Sequence, residues 1–178
     1  MSHISIQYYK SPCGELILGS YNNQLCLCDW RYRKMRQSID NRITKSLKAT
    51  YKEEPSSVIN EAIQQLELYF KGELKVFKLP LLLAGTEFQK KVWNTLAEIP
   101  WGTTNSYLEL SKLLGNNNAI RAVASANGAN AISIIIPCHR IIGSDGKLVG
   151  YAGGLTAKKK LLELEGCFRV NNQLSLFD

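Results

Sequence analysis

The sequence predicts two domains of different class. Residues 1–83 read as a small α/β domain, an antiparallel sheet plus a helix. Residues 84–178 read as a mostly α-helical domain with a helix-turn-helix. Two observations carry this division. Up to Trp30, apolar and polar residues alternate in short runs separated by turn residues. Beyond Gly85 the apolar residues recur at helical spacing, and Gly, Asn and Pro break the pattern into short pieces.

Ile4 and Ile6 alternate with polar residues in a first strand. Ser11-Pro12-Cys13-Gly14 has turn chemistry, and Leu16–Leu18 begins a second strand. Asn22-Asn23 is a hairpin turn, because asparagine tolerates the positive φ that a two-residue loop requires. Leu25–Trp30 is then a third strand. Residues 31–55 lose the pattern, and Arg31, Arg33, Lys34 and Arg36 crowd together. A solvated loop or helix face and a phosphate-contacting patch are both open for this run. Ser57 caps a helix to about Lys71, with Ile59, Ala62, Ile63, Leu66, Tyr69 and Phe70 as its apolar stripe. Val76–Leu83 is extended, and Pro80 argues against a central strand.

Thr86-Glu87-Phe88-Gln89 is a capping box opening a helix whose inner face carries Phe88, Val92, Trp93 and Leu96. Pro100-Trp101-Gly102 stops it. Helices over about 106–114 and 118–126, joined by a Gly/Asn turn, form the helix-turn-helix. An Ile-rich segment, a Gly-rich loop over 143–154 and a helix capped by Thr156 complete the chain.

The chain has 178 residues, is 45% hydrophobic and 21% charged, and carries a formal net charge of +7. These values fit a globular protein, and the basic balance favours a polyanionic partner. No run approaches the roughly 20 apolar residues of a membrane helix, and Met1–Lys10 lacks a signal-peptide pattern, so a cytoplasmic location is expected. The five cysteines are an odd count, against a disulfide framework in a reducing compartment. Cys26 and Cys28 share one strand face, as core thiols or as a metal or redox pair. His3 and His139 are too far apart in sequence to argue for a metal site.

The most informative run is Pro137-Cys138-His139-Arg140, set between Ile134-Ile135-Ile136 and Ile141-Ile142. A thiolate is the reactive form of cysteine, and an adjacent imidazole can take its proton. Pro137 fixes the backbone ahead of the sulfur. A cysteine in an apolar run is equally what a small core residue looks like. Cys-His adjacency does not suit the usual metal spacings.

That tetrapeptide, with Phe88-Gln89, Val92-Trp93, Ile99-Pro100, Gly102-Thr103, Ser106-Tyr107, Arg121-Ala122-Val123, Asn127-Gly128, Asn130 and Gly150-Tyr151-Ala152-Gly153-Gly154, resembles the O6-alkylguanine-DNA alkyltransferases. The match runs in order from about Gly85 to Gly166. The resemblance implies a ribonuclease H-like N-terminal domain and a winged-helix-like C-terminal one. It implies DNA repair by direct reversal. The alkyl group of O6-alkylguanine, and more weakly of O4-alkylthymine, passes irreversibly to Cys138, one lesion per molecule.

On this resemblance His139 takes the thiol proton through a bound water and Glu165 orients His139. Tyr107 crowds the phosphate of the rotated nucleotide and protonates the leaving base, and Asn130 braces the turn before Cys138. Val149, Tyr151, Ala152 and Ser133 line the guanine pocket. Arg121 intercalates from a helix whose Ala122, Ala124, Ser125 and Ala126 allow close approach to the minor groove of double-stranded DNA, with Tyr107 also at that surface. Weak sequence preference, a monomer and no cofactor are expected. Some members carry a structural metal in the N-terminal domain, but Cys13, Cys26 and Cys28 repeat no recognised ligand pattern, so no metal is expected.

Taken without the resemblance, Glu165 is a helix-terminal carboxylate, Tyr107 a packing residue and Arg121 a surface residue. Ala131 and Ser133 stand where many members have prolines. Two rival functions remain open, a helix-turn-helix regulator with a structural Cys138, and a Cys-His hydrolase.

Overall fold

The computed structural model describes residues 2–168. They fall into two compact units. The first comprises the chain up to Thr86 together with Ala131–Ile135. The second comprises Glu87–Asn130 and residues 136–168.

The first unit opens with β1 (Ser2–Ser11), β2 (Gly14–Tyr21) and β3 (Gln24–Trp30), two successive antiparallel hairpins. Asn22 and Asn23 both take positive φ (48° and 60°), as a two-residue hairpin loop demands. Helix α1 (Arg36–Leu47) and strand β4 (Ala49–Glu53) follow, then α2 (Ser57–Phe70). The strand order is β3-β2-β1-β4, and β4 runs parallel to β1. The sheet is therefore mixed, not antiparallel as expected. The reason lies in 31–55, where a helix, not a turn, carries the chain back beside β1 and so reverses the sense of pairing.

Ile39 and Ile43 of α1 bury against Ile4, Ile6, Ile17, Cys26, Leu27 and Ala49. α2 packs on the first three strands through Val58, Ile59, Ala62, Leu66 and Tyr69. Cys26 and Cys28 are buried, and burial pushes the Cys26 thiol up to about 12 and Cys28 higher still. They are core thiols, protonated at neutral pH.

The free edge of β3 is covered by two short stretches. Leu25 exchanges hydrogen bonds with Pro80 and Leu82, and Cys28 with Ala131 and Ser133. Pro80 contributes only its carbonyl there, the one ladder group a proline can offer.

Within the basic run, Arg33 and Arg36 turn inward, while Lys34 is exposed. Asp29, fully buried, accepts from Arg33 (3.0 and 3.2 Å) and Arg36 (3.0 Å). Arg36 also pairs with Asp40, which accepts from the Tyr51 hydroxyl. Arg31 pairs with Glu15 and lies over the Tyr8 ring.

The second unit contains α3 (Glu87–Ala97), β5 (Asn105–Ser106), α4 (Tyr107–Leu113), α5 (Ile120–Gly128), a 3₁₀ turn (Cys138–Arg140), β6 (Ile141–Ile142) and α6 (Leu155–Leu164). Val92, Trp93 and Leu96 face inward on α3, and Trp93 Nε1 donates to the Ala126 carbonyl at 2.8 Å, joining α3 to α5. Phe88, expected on that inner face, is exposed. Ser106 and Glu109 close a full capping box on α4. The cap of α6 is Gly154 at φ 86°, two residues before the expected Thr156, in a conformation glycine adopts freely.

Candidate active site

β6 pairs in parallel with β5, Asn105 opposite Ile141 and Ser106 opposite Ile142. This two-residue ladder fixes the turn Cys138–Arg140, which precedes β6, beside the start of α4, which follows β5. The turn is entered tightly. Pro137 sits at φ −82°, ψ 61°, and the Cys138 amide donates to the Ile136 carbonyl at 2.8 Å, an inverse γ-turn. The Asn130 amide donates to the same carbonyl at 3.0 Å.

Cys138, His139 and Arg140 are all buried. Glu165, just past α6, serves the last two. His139 Nε2 lies 2.7 Å from Oε1, and Arg140 donates Nε to Oε2 (2.8 Å) and Nη2 to Oε1 (3.0 Å). Arg140 also donates to the Ile99 carbonyl. Gly102 makes room for this end of α6. It takes φ 79°, and a Cβ there would stand 3.1 Å from the Glu165 carbonyl oxygen.

Burial alone would raise the Glu165 carboxyl. The hydrogen bonds from His139 and Arg140, with the charge beside them, outweigh burial and hold it at about 2. Glu165 is thus an anion that accepts from Nε2–H. Burial lowers His139 below its ordinary value against the opposing pull of Glu165, so the ring is neutral. Its proton sits on Nε2, and Nδ1 keeps its lone pair, with no hydrogen-bond partner in the described protein. The arrangement is a base held in one tautomer next to a thiol. The Tyr151 ring stacks on His139 at 6.4 Å between centroids.

Two further groups sense the sulfur. Burial raises the Tyr107 hydroxyl, negative charge on Cys138 raises it further, and a hydrogen bond with Asn127 opposes both. Lys158 is fully buried and donates Nζ to the carbonyls of Ile141, Val149 (3.0 Å) and Gly150 (3.3 Å). Burial pushes its ammonium down to about 8, while Cys138 pulls it up. Among the described residues, no group of His, Cys, Asp and Glu is placed to hold a metal.

A family model described as 6-O-methylguanine DNA methyltransferase, ribonuclease-like domain, matches residues 4–83, and one described as the DNA binding domain of the same methyltransferase matches residues 87–167. The methylated-DNA–protein-cysteine methyltransferase of Methanosarcina acetivorans is 57% identical over 158 residues, 89% of this chain and 96% of that protein. This chain belongs to the methylated-DNA–protein-cysteine methyltransferase family. A second relative of that name, from Mycobacterium leprae, is 44% identical over 94% of this chain and 95% of its own. The crystal structure of Mycobacterium tuberculosis O6-methylguanine methyltransferase has a TM-score of 0.77 at 39% identity, covering 98% of this chain and 99% of that one. That of Mycobacterium tuberculosis OGT in complex with DNA has a TM-score of 0.78 at 40% identity, covering 92% of each.

In this methyltransferase-family chain, Cys138, His139, Glu165, Tyr107, Asn130 and Tyr151 gather in the second unit, with Val149 and Ala152 on the loop before α6. Arg121, Ala122 and Ser125 lie exposed on α5, and Ala124 is half-buried. Ala126 differs from expectation. It is buried, with its carbonyl taken by Trp93, because it falls on the inward face with Val123. Ser133 also differs. It belongs to the first unit, fully buried, and its hydroxyl donates to Asp29 Oδ1 at 3.0 Å.

Sequence reasoning missed Arg140 and Lys158 as parts of this site. Lys158 had a signal. It shares the inward stripe of α6 with Ala157, Leu161 and Leu162, while Lys160 points out.

Proposed function

We propose that this protein repairs DNA by direct reversal, taking the alkyl group of O6-alkylguanine, and more weakly of O4-alkylthymine, onto Cys138. The observation that carries the reading is the buried chain Cys138, His139, Glu165 inside the part of the sequence that matches the family's DNA-binding domain. Thiol proton loss to His139 Nδ1 runs through one water, and Glu165 stabilises the imidazolium that forms. The thiolate attacks the alkyl carbon in line. A C–S bond forms, the C–O6 bond breaks, and the electron pair leaves with the base, which Tyr107 protonates. The product is a thioether and an unmodified guanine, so each molecule acts once. No cofactor enters this balance, because the protein is the acceptor.

The target carbon is inaccessible in stacked duplex DNA, so the nucleotide must rotate out. Arg121 fills the gap from α5, and the exposed Ala122 and Ser125 with Ala124 let that helix lie close in the minor groove. The contacts are to shape and phosphate, which gives weak sequence preference. Tyr151, Val149 and Ala152 enclose the base. Residues 84–178 carry binding and transfer, residues 1–83 support them, and the protein works as a monomer in the cytoplasm. No helix among the described residues is long and apolar enough to cross a membrane. The regulator and hydrolase readings are dropped, since relatives spanning nearly the whole chain are named cysteine methyltransferases.

Mass spectrometry after incubation with O6-methylguanine duplex tests this. A gain of about 14 Da on the Cys138 peptide, one equivalent per protein and absent in Cys138→Ala, is expected. Unchanged mass in folded protein, or many lesions cleared per molecule, refutes it.

A further inference from the structure

The chain between Asn130 and Cys138 contains a second tight turn. Ile134 has φ 71°, and the Ile135 amide donates to the Ser133 carbonyl at 2.8 Å, closing a γ-turn of the positive-φ kind. That turn is rare and strained, and a β-branched residue is the least suited to it. Such a conformation persists only where its surroundings over-determine it.

Here they do so at Ser133. Its amide donates to the Cys28 carbonyl at 2.6 Å and its hydroxyl to Asp29 Oδ1 at 3.0 Å. Asp29 is itself held from several sides. Oδ1 accepts from Arg33 and Ser133, Oδ2 from Arg33 and Arg36, and its side chain is fully buried. Both arginines begin the path into α1, and Arg36 is tied on to Asp40. Ser133 is thus bolted to a saturated carboxylate. The strained turn follows immediately, then the inverse γ-turn at Pro137, and then the sulfur.

We infer that Ser133 and Asp29 are positioning residues for Cys138. The hydroxyl–carboxylate bond holds the Ile134 turn closed, and this fixes the backbone path that delivers the thiol. The inference rests on Cys138 being the reactive thiol. Ser133 touches no reacting atom in it.

Ser133→Ala removes one hydroxyl and leaves both Arg–Asp29 pairs, and Ser133→Thr restores the hydroxyl. Single-turnover methyl transfer is measured against O6-methylguanine duplex concentration, which separates the limiting rate from the apparent Kd. In parallel, labelling of Cys138 by iodoacetamide is followed by peptide mapping. In Ser133→Ala both the limiting rate and the labelling rate should fall about tenfold with Kd unchanged, the size expected when a hydrogen bond to a charged group is lost. Ser133→Thr should recover most of both.

An unchanged labelling rate, a loss confined to Kd, or no recovery in Ser133→Thr overturns the inference. If unsubstituted protein takes up no methyl at all, the proposed function fails, but the labelling comparison still decides the role of Ser133. Hydrogen exchange at the Ile135 amide of unsubstituted protein is an independent check. Slow exchange is expected, and exchange at the rate of an open loop overturns the closed turn.

Discussion

Replacing Glu165 by glutamine should be costly in stability and in rate, and the two costs have separate signatures. The carboxylate is completely buried and accepts three hydrogen bonds, one from His139 and two from Arg140. Glutamine preserves volume, but it removes the counter-charge of a buried guanidinium and turns one acceptor into a donor. Breaking a buried pair in this way costs about 3–5 kcal/mol. The shift of the carboxyl from 4.5 to about 2 gives an independent figure on the order of 3 kcal/mol. For a chain of this length either value lowers Tm by roughly 10 °C.

The pH dependence has a definite sign. A carboxyl whose value is depressed by folding contributes its stability above its ordinary value, and loses that contribution as pH falls toward about 2. Thermal melts of wild type and Glu165→Gln should differ by the full amount at pH 7 and converge as pH is lowered below about 4.5. Alkyl transfer at pH 7 should slow by about 10²–10⁴, the range expected when a general base loses its orientation. Melting temperatures within 2 °C of each other at pH 7, beyond which a shift counts as resolved on the scale of about 2–4 °C per kcal/mol, would refute the argument. A gap that stays constant on acidification would refute it as well.

Two more predictions concern charge near the sulfur and the DNA. Lys158→Met removes the buried ammonium and orphans three carbonyls. Transfer by wild type should decline as pH passes about 8, where Lys158 loses its proton, and this alkaline limb should vanish in Lys158→Met when rate is profiled against pH. Arg121→Ala should weaken binding to duplex DNA and reduce the salt slope of log affinity by about one, read by titration at several salt concentrations. Its reaction with the free base O6-methylguanine should stay near wild type, since no nucleotide has to be held out of a stack.

The parts of the fold legible in the sequence are those encoded locally. The Asn22-Asn23 hairpin, the stripe of α2 and the Gly/Asn turn before α5 each depend on a few adjacent residues. α1 and β4 were illegible for a physical reason. Only Ile39 and Ile43 of α1 and Ala49 of β4 are buried, too few for a period to emerge. Arg33 and Arg36, which make the region look solvated, turn inward onto Asp29, a partner defined only by tertiary structure. The same contrast holds at the site. His139 is legible because it adjoins Cys138. Glu165 is 26 residues from His139 and emerged only through the family resemblance. The resemblance puts Ser133 in the pocket, and nothing near it in the chain announces Asp29, 104 residues away.

The cover on the β3 edge bears on how this protein emerges from the ribosome. All four strands of the first sheet are synthesised by Glu53, yet one of the two stretches that cover the outer edge of β3 arrives only with residues 131–133. For some eighty residues of translation the nascent sheet carries a half-unpaired border, at Cys28, open to mispairing with a neighbouring chain. The segment that ends this exposure runs on directly to Cys138, so the cover of the sheet edge and the nucleophile leave the ribosome together.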